Sequence, residues 1–480
     1  MNRELPEGWI WTKVGDIYDI VGGGTPSTKN SDYWEGSTPW ITSADIHGIM
    51  DIRPRKYING NSINNSATNL VPAGSIIVVT RVGLGKVGLA NTELCFSQDS
   101  QALVNTSDLI FTKYILYYLE KAVQIFKYKN RGTTIAGVTK KQLYELELPL
   151  PPLAEQQRIV DKLEELFTNL DKGIEYLKTA LTELKLTRQS VLKYSMEGKL
   201  TEKWREENKD KIEPASVLLD NIKEERKKEG KYKEVPTIDT SEMSKLPEGW
   251  EWVRVFSIGN VITGNTPRKS ELGYYGNDCP FYKPGDLNKG YYVKSSEESI
   301  SKEGIKYVRL LPEKSVLVTC IGATIGKTGF IRVEGCSNQQ INSILPNANI
   351  VPEFIYFNCI SPQFQNNIVS NSSSTTLPIL NKSKFELLPL PIPPKLEQHK
   401  IVEVIENYYS ILDNMEKSIS ESLNQTSGTR QSILKKAFEG RLVPQDPNDE
   451  SASILLEKIK AEKTKSERKT HRERRINISK

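Results

Sequence analysis

The chain has 480 residues, 65 Lys and Arg against 60 Asp and Glu, a formal net charge of +5 at pH 7 and a mean hydropathy of −0.46. That length predicts two to four domains, and so small a charge means that any DNA-binding face must come from local clustering. Five cysteines without a CxxC pair (Cys95, Cys279, Cys320, Cys336, Cys359) argue against a disulfide framework or a zinc site, and three histidines (His47, His399, His471) leave little for acid–base or metal chemistry.

The opening MNRELPEGW has no apolar run of the signal-peptide kind, and the longest apolar stretch, residues 75–80, is far too short to span a membrane. The expectation is a cytoplasmic chain with no membrane partner. Residues 1–150 read as a first domain, α+β or mostly β with one or two packed helices. Residues 75–80 and 84–95 read as strands, being rich in Ile, Val and Thr, and residues 111–128 as a helix. GGGTPST, residues 22–28, is a polar turn. Its amides and the hydroxyls of Thr25 and Ser27, with Lys29 beside them, are candidates for phosphate contact, and a plain turn is the alternative. Arg53, Arg55, Lys56, Arg81 and Lys86 are further candidate DNA contacts, since Arg can read guanine bidentately.

GLGKVG, residues 83–88, matches GxGxxG, but LANTELCFS follows it and reads as a strand. A dinucleotide site needs a helix there. GATIGKT, residues 322–328, resembles a Walker loop with three residues between its glycines where four are required. Both read as hairpin turns carrying Lys86 or Lys327. A polar loop containing Thr133 then precedes a proline hinge at residues 149–152.

Residues 151–200 hold the element around which the chain is organised. Leu153–Met196 has no proline, and Leu163, Leu170, Leu177, Leu184 and Val191 recur every seven residues. A strict heptad over that length predicts a helix that pairs with another helix. Residues 201–245 form a charged linker around a short amphipathic helix at 214–228. Residues 246–392 repeat the first domain, residues 393–442 the long helix, and residues 443–480 a short helix with a basic tail. In the second helix Ile405, Leu412, Ile419 and Ile433 fall at heptad positions 242 residues after their counterparts.

The repeat extends through the whole chain. LPEGWIW at 5–11 returns as LPEGWEW at 246–252, PPLAEQ at 151–156 as PPKLEQ at 393–398, TRQSVLK at 187–193 as TRQSILK at 429–435, and ASVLLDNIK at 215–223 as ASILLEKIK at 452–460. This is a tandem duplication of a domain-sized unit. The polar surface diverges between the repeats. The second offers Arg268, Lys269, Lys283, Lys289 and Lys327, with Thr375 in the loop matching that of Thr133. Residues 457–480 hold ten Lys and Arg against four Glu, a mixed-sign run that reads as a solvated helix or as a phosphate-binding one.

LPEGW opening each domain, the GTP turn at Gly24–Pro26 (Asn265 departs from it in the second repeat), the LPLPPLAEQ and LPIPPKLEQ hinges, the TRQS helices and the EGKL and EGRL ends together resemble the specificity subunit of type I restriction–modification systems over essentially the full length. The resemblance implies two target recognition domains, each reading one half of a split, asymmetric double-stranded DNA sequence. It implies that the long helices pack as an antiparallel coiled coil with pseudo-two-fold symmetry, which sets the gap between half-sites. It also implies two methyltransferase subunits using S-adenosylmethionine, restriction subunits using ATP and Mg2+, and no cofactor, metal or catalytic residue in this chain. Two rivals stand beside it: a structural coiled-coil scaffold with two β-rich binding modules, and a nucleotide-dependent enzyme built on the glycine loops.

Overall fold

The computed structural model describes residues 4–129, 137–241, 243–268, 270–373 and 377–478. They divide into two compact units, Met1–Leu177 with Glu421–Lys480, and Lys178–Ser420. Each unit contains one globular domain.

In the first domain the strands are β1 (Ile10–Lys13), β2 (Tyr18–Gly22), β3 (Thr38–Ile41), β4 (Ile46–Gly48), β5 (Asp51–Ile52), β6 (Lys56–Ile58), β7 (Ile76–Val79), β8 (Val87–Leu89), β9 (Cys95–Phe96), β10 (Ser100–Asn105) and β11 (Glu147–Leu150). They make an antiparallel sheet of order β2-β10-β7-β8 and a second sheet β6-β3-β9, in which β3 and β9 run parallel. At the centre lies β7, IIVV, buried on both faces, as an unbroken β-branched run requires. The first and last strands pair, Ile10 opposite Leu150, so the LPEGW opening and the proline hinge close the domain on each other.

The second domain repeats this plan with β12 (Glu251–Arg254), β13 (Gly259–Thr263), β14 (Tyr275–Tyr282), β15 (Glu298–Ile300), β16 (Leu310–Leu311), β17 (Val316–Thr319), β18 (Thr328–Phe330), β19 (Gly335–Ser337), β20 (Ile341–Pro346) and β21 (Pro389–Ile392). Its sheets are β13-β20-β17-β18, β15-β14-β19-β16 and the closing pair β12-β21. The α+β class expected from sequence is the one observed. One strand differs: residues 84–95 split into β8 and part of β9, because Asn91 and Thr92 turn the chain between them.

The long helices span Leu153–Met196 and Lys395–Ala437, and in each unit their segments run antiparallel. In the first unit Arg430 lies 4.1 Å over the Phe167 ring and 3.7 Å from Asp171. In the second, Arg188 lies 5.1 Å over Tyr409 and pairs with Asp413 and Glu416. Phe167, Asp171 and Arg188 stand 242 residues before Tyr409, Asp413 and Arg430, so one interlock occurs twice.

All nine named heptad side chains are buried or half-buried. They do not all serve helix pairing, however. Leu163 belongs to the core of the first domain, Ile433 packs against that core, and Val191 and Ile405 belong to the core of the second. The helix ends are therefore docked into the domains, which leaves Leu170, Leu177, Leu184, Leu412 and Ile419 between.

Ala215–Lys228, downstream of the first domain, packs in the second unit, where the Ala215 amide donates to Gly249 O at 2.8 Å. Ala452–Ile478 packs in the first, where the Ala452 amide donates to Gly8 O at 2.9 Å. At 27 residues it is also much longer than the short helix expected.

Candidate nucleic-acid interface

The GTP turn is a joint of the domain frame. Gly24 N donates to Phe96 O at 2.9 Å, and Asn265 N to Ser337 O at 2.9 Å. A Cβ on Gly23 would fall 2.1 Å from Ser97 O, and one on Gly264 2.2 Å from Asn338 O, so the close backbone approach requires glycine in both repeats. The Thr25 hydroxyl bonds to Gln98, as Thr266 does to Gln339. Ser27 is exposed, but its carbonyl accepts from the Trp34 indole at 3.3 Å. The turn thus engages Gly24, the Thr25 hydroxyl and the Ser27 carbonyl within the chain and leaves the Ser27 side chain exposed.

Most of the candidate cations are held by their own chain. Asp51 grips Arg53 in a two-bond fork (2.8 and 2.7 Å), Asp45 accepts from Arg55, and Lys56 sits 5.1 Å over the Trp34 ring. Burial alone would raise the Asp45 carboxyl. The Arg55 guanidinium and the bonds from Thr42 outweigh it and hold the group below the ordinary aspartate value. In the second domain Lys283 pairs with Glu298 and lies 5.5 Å over Phe281, and Lys289 donates to Ser295 Oγ at 2.7 Å.

Lys29, Arg81 and Arg268 are exposed and have no side-chain partner among the described residues. Thr133, Lys269 and Thr375 lie outside the described residues.

The two phosphate-loop lookalikes are hairpin turns, between β7 and β8 and between β17 and β18, with Gly85 (φ +102°) and Gly326 (φ +84°) in the left-handed region that favours glycine. No helix follows either turn, so neither presents a helix N-terminus to a phosphate. Their lysines are engaged: Lys86 Nζ donates to Ser43 O (2.8 Å) and Ile46 O (3.0 Å), and Lys327 Nζ to Asn288 Oδ1 (2.8 Å). The sequence reading missed the side chains behind these turns. Gln124 Nε2 donates to Gly85 O at 2.8 Å and Gln365 Nε2 to Gly326 O at 2.9 Å. The signal was available, because both glutamines, both glycines and both lysines stand 241 residues apart. It was also missed that Tyr274 and Tyr307 stack at 4.5 Å in the second domain, with Arg309 nearby donating to Thr263 O at 2.7 Å.

Among the described residues no group of three or more His, Cys, Asp or Glu is arranged to hold a metal ion, and no helix is long and apolar enough to cross a membrane.

The family model described as the type I restriction modification DNA specificity domain matches this chain twice, at residues 6–185 and 247–425. The chain belongs to that family. The type I specificity family is the non-catalytic DNA-recognition component of restriction–modification systems, and its subunits work with methyltransferase and restriction subunits. Relatives include the EcoDI specificity subunit of Escherichia coli, 25% identical over 96% of this chain and 97% of that one. The EcoBI specificity subunit of Escherichia coli is 29% identical over 87% of each. Among solved structures, the HsdS subunit from Thermoanaerobacter tengcongensis shares the fold, with a TM-score of 0.57 at 18% identity over 92% of this chain and 99% of that one. A chain from a study of type I R-M complex assembly and conformational transition has a TM-score of 0.64 at 20% identity, over 92% of this chain and all of that one.

Proposed function

We propose that this chain reads a split, asymmetric DNA sequence, one half-site per domain, and directs adenine methyltransferase and restriction subunits to it. The observation that carries this reading is the family match to both repeats, on a frame whose closing strands, GTP turn and glycine turns recur while the exposed polar side chains differ. Two methyltransferase subunits bind one copy of this chain, S-adenosylmethionine, ATP and Mg2+ are held by the partner subunits, and the complex works in the cytoplasm. Extrusion of the target adenine falls to the methyltransferase.

Co-expression with the methyltransferase subunit, followed by genome-wide mapping of N6-methyladenine, tests the proposal. The expected result is a methylated motif with two fixed halves and a constant gap, absent without this chain. A stable complex that produces no new motif overturns it and favours the scaffold alternative.

A further inference from the structure

Two domains that share a frame yet read different half-sites must differ where they read. The repeats agree at the GTP turn, in the order of the first sheet and at a bond beside the second, where Asn59 N donates to Tyr33 O and Ser301 N to Tyr274 O. They also agree at a buried aspartate. Asp45 Oδ2 accepts from Thr42 N at 2.7 Å, and Asp286 Oδ2 from Lys283 N at 2.8 Å.

Between that aspartate and the next shared strand, the backbones part. Residues 46–55 form the β4–β5 hairpin, whereas residues 287–297 belong largely to 3-10 turns over Asp286–Tyr292, kinked at Gly290 (φ +56°), and an extended run. Each segment is tied at its base by the same aspartate, through Arg55 Nε in the first domain and Glu297 N (2.9 Å) in the second. Each is also gripped from the side by the lysine of the glycine turn, and that turn is fixed from behind by Gln124 or Gln365. The exposed chemistry then differs: His47, Met50 and Arg53 in one, Lys289, Tyr292 and Lys294 in the other.

We propose that residues 46–55 and 287–297 are the specificity-determining segments of the two domains, and that Lys86 and Lys327 are the positioning residues that hold them in reading geometry. The inference rests on the DNA-recognition reading. It assigns the glycine turns a role that nucleotide binding does not: each is a clamp linking a helix to a variable segment. At Lys86 the ammonium takes main-chain carbonyls, Ser43 O just before the segment and Ile46 O at its first residue, and so holds it whatever its side chains are, whereas at Lys327 it takes the side-chain amide of Asn288.

The test is selection of randomised duplexes, with two variable stretches and a range of gaps, by the complex of the full chain with its methyltransferase subunits. Arg53 has 71% of its side chain exposed and Tyr292 is 63% exposed, so replacing either leaves the fold intact. Arg53→Ala is expected to relax base preference at one half-site only and Tyr292→Ala at the other, each by about tenfold or more at one position. Lys86→Met and Lys327→Met are expected to blur the same two halves respectively.

If the lysines bind phosphate instead, the Met variants lose affinity uniformly across sequences. The slope of log K against log salt then shrinks by about 0.9 and base preferences are unchanged. That result overturns the positioning role. Unchanged preferences in Arg53→Ala and Tyr292→Ala overturn the segment assignment. A wild-type complex that selects no split sequence removes the recognition reading itself, and this inference with it.

Discussion

The indole of Trp250 donates to the Glu397 carboxylate at 2.8 Å, inside the second domain's proline hinge. The bond ties the LPEGW opening to the LEQ start of the long helix, which explains why both motifs recur together. Glu397 is wholly buried and also accepts from Thr201 (2.6 Å) and from the Arg205 guanidinium (2.9–3.2 Å). Glu397→Gln removes the charge that Arg205 faces in a site almost closed to water. A loss of about 3 kcal/mol is expected, because breaking a buried pair strands its other half. Urea unfolding of the variant against wild type checks it.

The equivalent Glu155 behaves differently. It accepts from the Trp9 indole at 2.9 Å and from Gln445 at 3.4 Å, with no arginine in the place of Arg205. Burial pushes its carboxyl above the ordinary glutamate value, with the Trp9 bond opposing. The folded chain then binds a proton more tightly than the unfolded one. The stabilisation is complete below the unfolded-state value and declines as pH rises through the raised folded value. Glu155→Gln keeps an acceptor for Trp9 and removes the titration. Stability at pH 8 is therefore expected to hold or rise, and the wild-type decline on the alkaline side of the ordinary glutamate value to shrink. Denaturant titrations at several pH values measure this, and a variant less stable than wild type at pH 8 counts against it.

The duplicated plan was legible because its signals are local or exactly repeated: the heptads of Leu153–Met196, the absence of proline within it, and the paired hinges. The bonds that make those motifs matter were not, since Trp9 and Glu155 lie 146 residues apart and no local period links them. The sequence offered Arg53, Arg55 and Lys86 as candidate DNA contacts, and the fold gives each an acceptor from its own chain. Which tail packs in which unit was hidden for the same reason, because ASVLLDNIK and ASILLEKIK are too similar to announce different destinations.

Arg430 stacks on Phe167 and Arg188 on Tyr409 within the antiparallel helix segments. Arg188 and Arg430 have 24% and 32% of their side chains exposed, so screening is incomplete. Arg430→Ala and Arg188→Ala are each expected to cost about 1 kcal/mol, mostly through the ring contact. Arg430→Lys should recover less than half of it, since an ammonium cannot stack. Thermal melts of the three variants provide the comparison.

All five cysteines are buried and free. Burial pushes the thiols up, Cys95 to about 11 and Cys320 to about 12, so little thiolate exists near neutral pH. The native chain should react with less than about one equivalent of a disulfide reagent at pH 8, with all five thiols titrating in denaturant. This holds even for Cys279 and Cys336, whose sulfurs lie 4.0 Å apart. Rapid native labelling at either position would mean that the second sheet opens readily.

Arg226 and Lys463 perform one task in the two units. Arg226 donates to Phe256 O and Gly259 O, and Lys463 to Gly15 O (3.0 Å) and Tyr18 O (3.1 Å), the corresponding carbonyls of the first domain. Each cation caps the carbonyl end of a short helix, Val255–Ile258 or Val14–Ile17, and moors a tail helix to it. The surroundings differ. Arg226 is buried, 4.1 Å over the Phe256 ring and 3.4 Å from neutral Asn260, whereas Lys463 lies 3.1 Å from Asp19. Lys463→Met removes two charge-assisted bonds and leaves Asp19 without its lysine, a cost of about 2 kcal/mol. Hydrogen exchange should then quicken within Ala452–Ile478 and stay unchanged within Ala215–Lys228, and Arg226→Met should give the reverse pattern. The Arg226 effect is expected to be the larger, because Arg226 is 7% exposed whereas Lys463 keeps 16% of its side chain in water. If exchange stays slow in both variants, apolar packing alone moors the tails, and the cations are incidental to it.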